Sequence, residues 1–195
     1  MTRPATLAGL VLLTVVPLIA QQAPRVLTTG QKLKLYLVTA YGPQPIAFSA
    51  ASAGFHQWVD TPHEWGQGMR GYGRRVASRF AQNAIEETTR MGIGLALHED
   101  PRYIESGQTR FWARIGYALK YTLLTRRDNG GDTIAVGRIC GVLAGGLLSR
   151  TWQPDSTRGY GQGIEAAGYS FAADAGNSVF REFWPDIRRR VFRKR

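Results

Sequence analysis

Glycine stands at every fourth position along Ile134–Ser149, at Gly137, Gly141 and Gly145. On an α-helix that spacing lines the three up on one stripe with no side chain above it. A neighbouring backbone can then come closer than a leucine-lined face allows. Glycine inside a helix is also unfavourable by roughly 1 kcal/mol against alanine. Close packing, not helix propensity, therefore accounts for these residues. Gly168, Ala172 and Gly176 repeat the rhythm and predict a second packing face of the same kind. A chain marked this way is expected to fold as helices pressed together through small residues.

The rest of the sequence supplies those helices. Thr28 or Thr29 can cap a short helix over Gln31–Ala40, and Gly42-Pro43-Gln44-Pro45 breaks it. Ile46–Val59 is apolar with many small residues and suits a buried helix. His63–Gly73 reads as a glycine-rich loop. Arg74–Leu97 has the clearest amphipathic pattern. Arg75, Arg79, Gln82, Glu86 and Arg90 share one face, and Phe80, Ala84, Met91 and Leu95 form the apolar stripe. Glu87 points toward that stripe, where a carboxylate needs a partner or a raised pKa. Thr109–Arg126 predicts another helix, Arg126–Gly131 a turn, and Asp132 or Thr133 the cap of the glycine-stripe helix. Gly161–Phe183 is the last long helix. One of its faces carries Ser170, Asp174, Asn177 and Arg181, and Trp184-Pro185-Asp186 closes it. The expected fold is all-α: a compact bundle of about five to six helices packed through Gly/Ala-rich faces, with Gly/Pro-rich loops.

The ends of the chain speak to location. Met1–Ala20 places one Arg before the apolar run Leu7–Val16, then Pro17 and Ala20, the layout of a secretory signal peptide. An uncleaved anchor is the rival reading. The expected organisation is a signal peptide over 1–20, a linker over 21–30, a single helical domain over 31–187 and a basic tail over 188–195. The tail carries Arg188, Arg189, Arg190, Arg193, Lys194 and Arg195, a surface for anionic headgroups. The formal charge is +11, carried almost wholly by arginine, since only Lys32, Lys34, Lys120 and Lys194 are lysines. That excess fits either anionic partners or an arginine-favouring genome. Nucleic acid is not expected as the partner of an exported chain. Small-residue helix faces also offer a route to a homo-oligomer.

Motifs for catalysis are not found. His63-Glu64 begins like a zinc-protease helix, but Gln67 stands where the second His is required. No G-x-S-x-G elbow occurs, and the glycine-rich loops lack the context of a phosphate loop. The lone Cys140 lies within the glycine-stripe helix and reads as a small packing residue. No catalytic residue, metal ligand or cofactor is assigned. A polar site built from His63, Glu87, His98, Asp100 and Arg102 is the alternative, and would suit a periplasmic enzyme or small-ligand-binding protein. Ordinary membrane spanning is not supported, because Arg138 interrupts the most apolar segment.

The combination of H-x-D-P-R-Y (His98–Tyr103), T-R-x-D-x-G (Thr125–Gly130), G-Y-G (Gly71–Gly73) and F-W-P-D-I (Phe183–Ile187) resembles a family of secreted bacterial envelope proteins with no assigned activity. The resemblance runs from about Leu33 to Phe192. It implies an exported protein, periplasmic or associated with the outer membrane, and transfers no catalytic role. The first expectation is a structural or membrane-associated helical protein of the cell envelope.

Overall fold

The computed structural model describes residues 26–192. The signal segment, the start of the linker, and Arg193, Lys194 and Arg195 lie outside the described residues. Six α-helices carry the fold: α1 (Thr29–Tyr41), α2 (Pro43–Trp58), α3 (Gly68–Ala96), α4 (Phe111–Leu123), α5 (Val136–Ser149) and α6 (Tyr160–Phe192). The all-α expectation holds. A small antiparallel sheet, β1 (Glu99–Asp100), β2 (Leu124–Arg127) and β3 (Asp132–Ile134), accompanies them in the order β1-β2-β3. The sheet stands where the sequence pattern predicts a helix end, a turn and a cap. The strands are too short to show a period, and Asn129-Gly130, with Gly130 at φ +86°, forms their hairpin turn.

Local chemistry explains the boundaries. Thr28 caps α1 in a reciprocal box with Gln31. Gly42 ends α1, and Pro43, whose missing N–H is harmless in a first turn, starts α2. The helix α3 begins earlier than expected, so Gly68–Gly73 is its opening rather than a loop. Arg75 makes that possible by donating to the carbonyls of Thr61, Pro62 and Gly66 and to Gln57, which gathers the preceding turn onto the helix. At the other end, α6 does not stop at Trp184-Pro185-Asp186 but runs through Pro185. Proline removes the backbone donor that would reach the Arg181 carbonyl, and on either side of Pro185 Arg114 donates to the carbonyl of Glu182 and pairs with Asp186. Arg188, Arg189 and Arg190 therefore belong to the exposed end of α6 rather than to a separate tail.

The glycine stripe of α5 packs as its spacing predicts. A Cβ on Gly141 would stand 2.6 Å from the carbonyl oxygen of Glu86, one on Gly137 2.9 Å from that of Arg90, and one on Gly145 3.1 Å from that of Gln82. Helices α3 and α5 thus run antiparallel with backbone against side-chain-free backbone. On the opposite flank of α5, Gly146 packs on α6, where a Cβ would meet Ala167 N at 2.8 Å. The stripe Gly168–Ala172–Gly176 does not pack. All three residues are exposed, and the space above Gly168 and Gly176 is open. The inner face of α6 is Gly163, Ala167, Ser170, Ser178 and Glu182 instead.

The bundle interior is small or polar, and much of its exterior is apolar. Buried hydrophobic residues are Tyr36, Ala40, Ala53, Ala118, Ala135, Val142 and Ala167. The largest side chain buried almost completely is Glu182, at 1% exposure. By contrast Trp58, Met69 and Trp112 are 78–82% exposed, and Phe48, Phe55, Phe111, Ile134, Ile164 and Tyr169 are also more than half exposed. The amphipathic helix α3 is turned accordingly. Its polar residues Arg75, Gln82 and Glu86 are buried, whereas Phe80, Ala84, Met91 and Leu95 are only half-buried.

Candidate functional site

Inside that apolar exterior runs a seam of paired charges along the facing sides of α3, α5 and α6. Gln82 and Glu86 project from α3 one turn apart, and Glu86 accepts from Gln82 at 2.9 Å and from Ser170 of α6 at 2.7 Å. One turn on, Arg90 donates to Glu87 at 2.7 Å and to Asp174 of α6 at 2.5 Å. Glu87, Arg90 and Asp174 thus form a part-buried triad. Arg138 of α5 approaches Asp174 at 3.8 Å and donates to the carbonyls of Tyr121 and Thr122 at the end of α4.

Burial sets the protonation balance of the seam. It pushes the Glu86 carboxyl up from its ordinary value, against the pull of Arg79. It pushes Glu87 up as well, against the pull of Arg90, and Asp174 and Glu86 add like charge in the same upward direction. Burial works against the charge of Arg90 too, but Glu87 and Asp174 more than offset it. Arg138 and Arg181 are lowered by burial.

Two smaller clusters extend the seam. Glu182 of α6 accepts from Tyr103 at 2.8 Å, from Ser106 and from Arg114. Burial alone would raise its pKa, but the bonds from Ser106 and Tyr103 bring it below the ordinary value. At the far end of α3, Glu99 on β1 accepts from the N–H of Gly137 at 3.3 Å. This places a carboxylate at the N-terminus of α5, which has no side-chain cap of its own. The same corner holds Lys32, which donates to the Glu99 carbonyl and to Asp128, both at 2.8 Å. Tyr36 fits into the room left by Gly94, and burial pushes its hydroxyl up to about 12.

The polar site expected from His63, Glu87, His98, Asp100 and Arg102 is not assembled. His63 and His98 flank opposite ends of α3, whose 29 residues span about 43 Å. Both are exposed, with Glu64 3.4 Å from His63 and Asp128 3.9 Å from His98. Glu87 belongs to the seam. Asp100 closes its own loop by accepting from the backbone N–H of Arg102 at 3.0 Å and from its guanidinium at 2.6 Å. Among the described residues no group of three His, Cys, Asp or Glu side chains could hold a metal ion. The sequence does not single out Arg75, Arg114 and Glu182 as site residues, although Gln82, Glu86 and Arg90 share one polar face and Ser170, Asp174 and Arg181 another.

Two hollows open from the surface. A shallow apolar groove of about 530 Å³ lies between α2 and α3, along Ile46, Ser49, Tyr72, Val76 and Phe80. A narrow polar cleft of about 20 Å³ lies between α4, β2, α5 and the segment after β1. No known family model matches this chain, and no curated protein or solved structure is significantly similar to it.

Proposed function

We propose that this protein is an exported component of a bacterial cell envelope with a structural, membrane-associated role, its apolar exterior lying against lipid. The observation that carries this reading is the inverted distribution of side chains. One set of charges faces inward and is paired, while Trp58, Met69, Trp112 and many other large apolar groups face outward beside exposed charges such as Arg70, Arg74, Arg110 and Lys120. Water disfavours such an exterior, since extended apolar patches on proteins mark interaction surfaces. Hydrocarbon favours it, and ionisable groups in that setting turn to the bundle interior and pair.

The exposed guanidinium groups of Arg188, Arg189 and Arg190 at the end of α6 stand beside the exposed Ile187 and Val191. That mixture suits an interface with anionic headgroups, at about 1 kcal/mol per basic residue near the surface. The motif resemblance to secreted envelope proteins points the same way. No helix among the described residues is long and apolar enough to cross a membrane. The four shorter helices, at 13 to 16 residues, reach only about 20–24 Å, less than a hydrocarbon core of about 30 Å. Contact is therefore lateral: the bundle lies on the bilayer or partly within one leaflet.

Fractionation of the tagged full chain from its native host tests this. Retention in the membrane pellet through a salt wash and then alkaline carbonate is expected if the apolar exterior meets lipid. Release by salt alone would reduce the contact to the basic end of α6. Recovery in the free periplasmic fraction would overturn the reading.

A further inference from the structure

The polar cleft is walled by three arginines on three different elements. Helix α4 passes into β2 without a loop, and this return brings Arg126 alongside Tyr117 and Tyr121 of the helix just left. Arg138 reaches the same space from the first turn of α5, and Arg102 from the segment after β1.

Each arginine of the cleft has an aspartate within 4 Å, but only Arg102 is hydrogen-bonded to its own. Asp100 is engaged by Arg102. Asp132 accepts from the Tyr121 hydroxyl at 2.8 Å and stays 3.9 Å from Arg126 Nε, beyond hydrogen-bond reach. Asp174, behind Arg138, is taken by Arg90 at 2.5 Å and remains 3.8 Å from Arg138 Nε. Neither Arg126 nor Arg138 thus meets a carboxylate at hydrogen-bond distance. Arg138 Nε is buried with no hydrogen-bond partner. Arg126 donates a long bond of 3.4 Å to the Tyr117 hydroxyl and sits 5.6 Å over the Tyr121 ring.

We infer that this cleft is an oxyanion site for a phosphate group, with Arg126 and Arg138 as its donors. A volume of about 20 Å³ admits one oxygen-sized group. The phosphate therefore enters by one oxygen and leaves its others at the mouth, where Arg126 is half exposed. Guanidinium forks match phosphate oxygens in geometry and charge. The phosphate can belong to a lipid headgroup or be free. Leu123 and Ile134, both more than half exposed, stand beside the wall formed by Leu124, which favours approach from a lipid surface. The cleft itself stands on its own geometry and does not depend on the lipid reading.

The test uses the full chain and its Arg126→Gln and Arg126→Lys variants. Inorganic phosphate is titrated by calorimetry, and vesicles of phosphatidylcholine with and without phosphatidic acid are tested by co-flotation. Saturable phosphate binding, weakened at least about tenfold by Arg126→Gln and less by Arg126→Lys, is expected. If phosphatidic acid vesicles show the same dependence on Arg126, the source is a headgroup. If only inorganic phosphate shows it, the source is free phosphate. Binding of neither ligand, or binding that ignores Arg126, overturns the site. Vesicle binding unchanged by Arg126→Gln would overturn the headgroup source and leave the membrane reading standing. Arg126-dependent phosphate binding by a chain that ignores all vesicles would do the reverse. Arg126 is half exposed, and an unchanged melting temperature in both variants separates lost binding from lost fold.

Discussion

Two stripes in this molecule share one sequence rhythm and meet opposite fates. Gly137, Gly141 and Gly145 on α5 lie against the backbone of α3 so closely that no side chain fits. Gly168, Ala172 and Gly176 on α6 face outward. Small-residue spacing permits close approach but does not command it. The neighbours on each helix decide. The face of α6 that turns inward carries Ser170 and Glu182, with Asp174 at its edge, and these meet Glu86, Arg90, Tyr103 and Arg114 across the interface. Turning the glycine stripe inward would have broken those pairs and left charges unpartnered in the interior, a penalty of several kcal/mol each.

The contrast can be broken at its tightest point. Gly141→Leu should destabilise the fold by about 3 kcal/mol or more, because the obstructing atom is the Glu86 carbonyl oxygen, which is backbone and cannot rotate away. Denaturant unfolding measures this, and an unchanged midpoint would refute the account of α5. Next in size is the pairing that orients α6. Asp174→Ala removes the carboxylate that Arg90 hydrogen-bonds and that lies 3.8 Å from Arg138 Nε, and should cost roughly 2 kcal/mol. That is less than a fully buried pair because Asp174 keeps part of its exposure.

A smaller effect is read through pH. Burial raises Glu86 and Glu87 in the folded chain, so folding takes up protons at these sites. Their contribution is fully present below the ordinary carboxyl pKa and declines as pH rises from there through the raised values. The slope is at most about 1.4 kcal/mol per pH unit for each group. Glu87→Gln should remove its share of that slope in melting curves recorded from pH 4 upward. The smallest effect sharpens the comparison most. Gly168→Ala should stabilise by up to about 1 kcal/mol, since it gains helix propensity where the space is open. Gly141→Ala should destabilise, so one substitution carries opposite signs on the two stripes.

The helices were legible because capping, proline and glycine signals act within a few residues. Thr28, Gly42 and the α5 stripe needed no knowledge of the rest of the chain. Which way the amphipathic helices turn was not legible. The period of α3 is plain in the sequence, but period alone does not say which side turns inward, and here Arg75, Gln82 and Glu86 are the buried side. The stretch of α6 around Pro185 is held by Arg114, which is 71 positions earlier in the chain and projects from another helix. The failure of His63 and His98 to meet follows from the length of α3, which was underestimated at its start because Gly68–Gly73 read as a loop. The seam itself was half visible: its residues were grouped by face, but their partners across the interface could be known only from the packing of α5 between α3 and α6.

The small interior has a calorimetric consequence. The heat-capacity increment of unfolding follows the apolar area newly exposed, at about 0.45 cal/K/mol per Å². Here Trp58, Trp112, Phe48, Phe55 and many similar side chains are uncovered before unfolding begins. In water the increment therefore falls below the usual ~12–15 cal/mol/K per residue, and the curve of stability against temperature is broad and shallow. Warming or cooling changes this fold's stability gradually, while the pairing of its interior charges decides whether there is a fold to lose.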